Sequence, residues 1–275
     1  MQGAEVEGGG LTRAFFVSSA LAFASAELLT SAIHELGHGL MAQALGFAPK
    51  IYAFYEDNPT GTAGQTLAIL AAGPVFSLIT GAAFWTWYLR AKPRYSYARL
   101  LLLWLALMGV TTFVNYLIVT PWLAAGDTAQ FADILHWPTA ARYGLTAVGI
   151  AMVIHLGRPA ATAMARVAPQ GVSLDSARAW RRYVMAGFYL PLLAGVLLTA
   201  VAGIGGQPII VFYGLLATVG YIDVVVAALY GGPPAPRDDA SRGVDAPLRV
   251  PPQGVAVYAA LVLVYVFVFS RGLPV

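Results

Sequence analysis

Long apolar runs recur along this chain, parted by short polar segments. They cover roughly 14–46, 66–89, 98–120, 143–165, 182–203, 208–230 and 254–270. A helix needs about 20 mostly apolar residues to cross a bilayer core. The pattern therefore predicts an all-α integral membrane protein with about seven transmembrane helices. The first run is too long for one simple span, so a tilted helix, a protruding one or two segments are all expected forms. Residues 1–13 read as a polar N-terminal tail and 231–253, rich in Pro, Gly and Asp, as a flexible linker. Lys50 to Tyr55 carries aromatic and β-branched residues. A short β segment near 50–62 is expected there, either as an edge strand open to an extended peptide or as an interfacial aromatic belt.

Composition places the chain in the bilayer. It is 59% hydrophobic and 11% charged, with a mean hydropathy of +0.70, against about a quarter charged for a soluble domain. The apolar stretch after Leu11 runs past Leu40, longer than a secretory signal, and reads as a retained helix. Arg13, Arg90, Lys92, Arg94, Arg99, Arg166, Arg178, Arg181, Arg182, Arg237, Arg242 and Arg249 fall on one side of the expected topology, and Lys50, Arg142 and Arg271 on the other. Lys and Arg gather on the cytoplasmic side, which predicts an N-terminus inside and a C-terminus outside. The net charge of +3 is small, and no basic patch suggests nucleic acid. The chain has 0 cysteines, which excludes thiolate metal sites.

Residues 34–38 read His-Glu-Leu-Gly-His. On a helix, positions i and i+4 share a face, so both imidazoles can reach one ion. The Glu between them is placed to act as general base on a metal-activated water. About 0.001 such pentapeptides are expected by chance at this composition. Ionisable residues inside an apolar helix cost roughly 2.5–3.5 kcal/mol and mark function. A catalytic zinc takes three protein ligands, and His34 and His38 supply two. The candidates for the third are Glu56, Asp57, Asp127, Asp133 and His136. Asp127 leads because it is the first carboxylate after the third span, with Asp133 and His136 in reserve. Glu56 and Asp57 adjoin Asn58-Pro59-Thr60-Gly61 and read as solvated turn charges.

Over residues 31–127 the chain resembles the site-2 protease family of intramembrane zinc metalloproteases. The resemblance rests on His34-Glu35-Leu36-Gly37-His38 with Gly39 and Ala42, on Ala71-Ala72-Gly73-Pro74 with Ser77, and on Asn115, Pro121 and Asp127. The last group departs from the family pattern: Gly126 precedes Asp127, Thr128 follows it, and the spacing from Asn115 is longer. The resemblance implies a three-helix metalloprotease-like core within 14–142, followed by accessory helices over 143–275. It further implies Zn2+ held by His34, His38 and Asp127, with Glu35 as base and Asn115 helping to stabilise the oxyanion. Asn115 has an equal alternative in an inter-helix hydrogen bond. The substrate implied is a transmembrane segment of a membrane protein, and a prokaryotic cell membrane is the expected location.

Four other polar residues lie within the apolar runs. Glu27, seven residues before His34, shares its face two turns away. His155, Arg158 and Asp223 sit in the later spans, and equal depth predicts a structural Arg158–Asp223 ion pair. Three functions compete: an intramembrane zinc protease, a non-catalytic scaffold or assembly subunit of a membrane complex, and a transporter. The chain shows no repeat of the kind transporters use.

Overall fold

The structure is a computed structural model describing residues 11–52, 54–57, 61–91, 96–119, 126–169, 172, 174–202, 220–232 and 249–275. Most described residues are helical. In chain order the helices are α1 (Arg13–Ala44), α2 (Ala63–Arg90), α3 (Tyr97–Val119), α4 (Asp127–Ile134), α5 (Thr139–Ala165), α6 (Ala177–Val184), α7 (Leu190–Ala202), α8 (Ile222–Tyr230) and α9 (Pro252–Phe267). The strands are β1 (Lys50–Ile51), β2 (Glu56–Asp57) and β3 (Leu273–Pro274).

Among the described residues, 6 helical segments are long and apolar enough to cross a membrane. They are α1, α2, α3, α5, the run from α6 through α7, and α9 with the short turn that follows it. The seventh expected span, 208–230, is described only from residue 220, where it ends as α8. The tail 1–10 and linker positions 233–248 lie outside the described residues.

The long first run is one continuous helix of 32 residues. At 1.5 Å per residue that is about 48 Å, more than a bilayer core of about 30 Å, so α1 tilts or protrudes. The Thr12 side chain starts it by accepting the Phe15 amide at 3.2 Å. From Ser18 to Leu28 every residue of α1 is buried. That is the signature of a central helix, and α1 packs on α2, α3, α7 and α9. Its N-terminal half sits in an aromatic cluster where Phe23 meets Trp104 edge-to-face at 5.0 Å.

Small residues set the other crossings. A β-carbon on Gly81 would stand 2.6 Å from the Gly109 carbonyl carbon, and one on Gly109 2.6 Å from Gly81 Cα. Helices α2 and α3 thus touch backbone to backbone, as packing in lipid favours. Tyr88 of α2 donates to the Ala163 carbonyl of α5 at 2.6 Å. Arg99 is buried in the first turn of α3, beside the α2–α3 connection. It donates to the Ala91 carbonyl at 2.8 Å and lies 4.5 Å over the Tyr88 ring.

The expected 182–203 span begins earlier, at Ala177, and contains a π-helical turn at Met185–Tyr189. Pro191 follows two residues after its end, and the missing amide removes one hydrogen bond from that ladder, which favours a wider turn.

The β segment expected near 50–62 is a small antiparallel sheet in the order β2-β1-β3. Lys50 pairs with Asp57 on one side and with Pro274 on the other. The expectation of an open edge at Lys50 to Tyr55 is therefore corrected, because β1 is the middle strand. The reading of Glu56 and Asp57 as turn charges is corrected likewise, since both belong to β2.

Candidate metal centre

Two glycines let α2 approach the metal motif. A β-carbon on Gly37 would stand 2.8 Å from Phe76 Cβ and 2.9 Å from the Ala72 carbonyl oxygen. One on Gly73 would stand 2.1 Å from His38 Nε2. The Ala71-Ala72-Gly73-Pro74 stretch is thus the place where the backbone of α2 lies against the imidazoles of α1.

That approach delivers a partner to each histidine. His38 Nδ1 donates to the Ile69 carbonyl at 2.7 Å, in the region of α2 that Pro74 loosens by withholding its amide. His34 Nδ1 lies 3.2 Å from Ser77 Oγ, which is fully buried. With both Nδ1 atoms engaged in this way, both Nε2 atoms turn toward the same point. Such outer hydrogen bonds fix the tautomer and ring orientation that a metal ligand needs.

The third donor arrives from the far side of α3. Gly126 has φ +106, a conformation that a residue with a side chain rarely adopts, and it turns the chain into α4. Asp127 is the first residue of α4. Thr128 Oγ1 donates to the Tyr116 carbonyl of α3 at 2.7 Å and pins this corner. Asp127 Oδ2 then lies 3.0 Å from His34 Nε2 and 3.2 Å from His38 Nε2, while the two Nε2 atoms are 3.1 Å apart.

This near-equilateral triangle fits a tetrahedral metal. Ligand atoms bonded at about 2.0–2.1 Å to one zinc stand about 3.3 Å from each other. His34, His38 and Asp127 could hold a metal ion, and they are the only His/Asp/Glu group among the described residues that meets this test. All three are largely buried, the side chains being 7%, 1% and 13% exposed. Burial works to raise the Asp127 carboxyl. The His38 charge and the hydrogen bonds of His34 and His38 outweigh it and hold the group well below the usual carboxylate range.

Glu35 is buried at 7% exposure, next to His34 and three residues before His38 on α1. The neighbouring helical face is therefore carboxylate-bearing. Asn115 is half-buried on α3. The residue that reaches the triangle from α3 is its neighbour Tyr116. Its hydroxyl lies 3.2 Å from His34 Nε2, and its ring stacks on the His34 ring at 5.2 Å with 3° between planes. Sequence reasoning missed Tyr116. The only signal was its place beside Asn115 in an apolar span, and tyrosine at a span end more often marks the interface.

The reserve ligands sit elsewhere. Asp133 binds Arg142 at 2.5 Å, and His136 forms the turn after α4 with φ 52. Glu27 is buried two turns from the motif, where Ser31 donates to it at 3.3 Å and Tyr221 lies close.

The expected Arg158–Asp223 pair is corrected. Helices α5 and α8 do pack, with Gly157 against the Ala227 carbonyl, and both charged residues line one cavity of about 630 Å³. No ion pair within 4.0 Å joins them among the described residues. Asp223 instead accepts the Val224 amide in the first turn of its own helix, where a carboxylate satisfies orphan donors.

Compared with family models, curated proteins and solved structures, the chain matches none.

Proposed function

We propose that this protein is an intramembrane zinc metalloprotease of the site-2 protease kind, hydrolysing a peptide bond in or near a transmembrane segment of a membrane protein. The observation that carries this reading is the convergence of His34, His38 and Asp127 within a membrane helix bundle, with buried Glu35 on the adjoining face. Zinc bound there would supply a Lewis acid that acidifies water and polarises a peptide carbonyl. Ser77 and the Ile69 carbonyl hold the imidazoles in register. Glu35 takes the proton from the attacking water and returns it to the leaving amine. A donor from α3, Asn115 or the Tyr116 hydroxyl, meets the charge that develops on the carbonyl oxygen. Burial of the site strengthens these charge interactions, and the location proposed is a prokaryotic cell membrane.

A second reading is a non-catalytic scaffold within a membrane complex. It is favoured by the sheet, where both sides of Lys50–Ile51 are already paired by the chain itself.

Glu35→Gln separates the two. Cells carrying the wild type or this variant are compared by mapping new N-termini across the membrane proteome. The protease reading expects cleavages inside transmembrane segments that vanish in the variant while its zinc content stays at wild-type level. An identical set of N-termini in both cells would leave the scaffold.

A further inference from the structure

Helix α5 and its C-cap residue Arg166 place His155, Arg158, Thr162 and Arg166 at spacings of three, four and four, which puts them on one face. That face is exposed at His155 and Arg158 and half-buried at Thr162 and Arg166. It lines a groove of about 610 Å³ whose opposite wall is Trp85 and Leu89 of α2. Tyr88, between those two residues in sequence, ties the helices together by donating to the Ala163 carbonyl at 2.6 Å, and Ala163 and Pro159 complete the lining. His155 and Arg158 are exposed on the outside of the bundle, within a segment long and apolar enough to span a membrane.

This arrangement is costly unless something anionic completes it. A charged side chain within a span costs roughly 2.5–3.5 kcal/mol on insertion scales and normally finds a partner. The expected partner, Asp223, is not within 4.0 Å of Arg158, and no ion pair involves Arg158 or Arg166 among the described residues. Arg166 Nε is buried with no hydrogen-bond partner. No Asp or Glu lines the groove.

The depth identifies the occupant. Helices α2 and α5 end together, at Arg90 and Ala165, on the side where basic residues gather, which is the cytoplasmic leaflet. Arg166 lies at that surface and Arg158 about 12 Å deeper, one turn either side of Thr162. Trp85 stands at the level where indole rings meet lipid headgroups. Basic pockets between helices on this side take anionic headgroups.

We infer that the α2–α5 groove is a binding site for one anionic phospholipid of the cytoplasmic leaflet. Arg158 and Arg166 hold its phosphate across Thr162, and an acyl chain lies along Trp85 and Leu89. A zwitterionic lipid fits less well because the groove offers no carboxylate for its ammonium.

The test is native mass spectrometry of the full-length protein, titrated with phosphatidylglycerol or phosphatidylcholine. The wild type should retain one phosphatidylglycerol at least ten-fold more tightly than phosphatidylcholine. Arg158→Gln with Arg166→Gln should bring the two lipids level, and the paired Lys substitutions should restore most of the preference. Asp223→Asn and Arg178→Gln should leave it unchanged. Equal retention of both lipids by the wild type would overturn the proposal, as would an undiminished preference in the paired Gln variant. Displacement of the lipid by millimolar inorganic phosphate would also overturn it and show a free-anion site. None of these outcomes depends on proteolysis.

Discussion

Gly73 lies so close to His38 that a β-carbon on it would stand 2.1 Å from Nε2, the atom that faces the metal position. Cε1 and Cδ2 of the same ring would stand 2.5 and 2.6 Å away, so the ring would have to shift, and its Nδ1 is held by the Ile69 carbonyl at 2.7 Å. Gly73→Ala should therefore lower zinc affinity by at least 10-fold, at the scale of lost outer-shell support. Gly64→Ala is the control, because nothing lies within 4 Å of its β-carbon and alanine favours a helix. Chelator competition on both purified variants reads the difference, and equal affinities would contradict the contact.

Ser77→Ala removes the partner of His34 Nδ1 at a fully buried position. The ring then loses its fixed tautomer. Zinc affinity should fall about 10–100-fold, while the helical circular dichroism stays at the wild-type level. An affinity within a factor of two of wild type would show that Ser77 does not orient the ring.

Gly126→Ala places a side chain at φ +106. Strain of this kind costs about 1–3 kcal/mol, and here it acts on the corner that presents Asp127. Stability and zinc affinity should fall together. Gly46→Ala, at φ +87 with nothing within 4 Å, should lose stability alone. Thermal melts and metal titration on the same samples compare them.

Much of this was legible in the sequence, and the limits are physical. His34, Glu35 and His38 were readable because helical spacing alone brings i and i+4 together. Asp127 was readable as a candidate because only a few carboxylates follow the motif. The roles of Gly126 and Thr128 were not, since φ and the bond to the Tyr116 carbonyl exist only after α3 and α4 meet. The Arg158–Asp223 expectation failed because equal depth says nothing about rotation. Asp223 turned to its own helix start, and Gly157 against Ala227 set the crossing. The β segment near 50–62 was legible, but its third strand was not: β3 comes from residues 273–274, and strand partners so far apart leave no local pattern.

Tyr116→Phe and Asn115→Ala separate two donors of α3. The Tyr116 hydroxyl points into the triangle at 3.2 Å from His34 Nε2, whereas Asn115 is one residue and about 100° around the helix. If the proposed hydrolysis is measured on a cleaved transmembrane substrate, Tyr116→Phe should slow turnover on the order of 10²-fold. Asn115→Ala should cost less. Zinc content should be unchanged in both. The reverse order would return the oxyanion role to Asn115.

Metal content and coordination of the purified, full-length protein test the central claim most directly. X-ray absorption should find about one zinc per chain, bound by two imidazole nitrogens and a carboxylate oxygen at about 2.0–2.2 Å. Asp127→Ala should weaken binding far more than Asp133→Ala or His136→Ala, and His34→Ala with His38→Ala should abolish it. A protein that is zinc-free after gentle purification and takes up none on titration, or a zinc that survives loss of both histidines, would contradict the account.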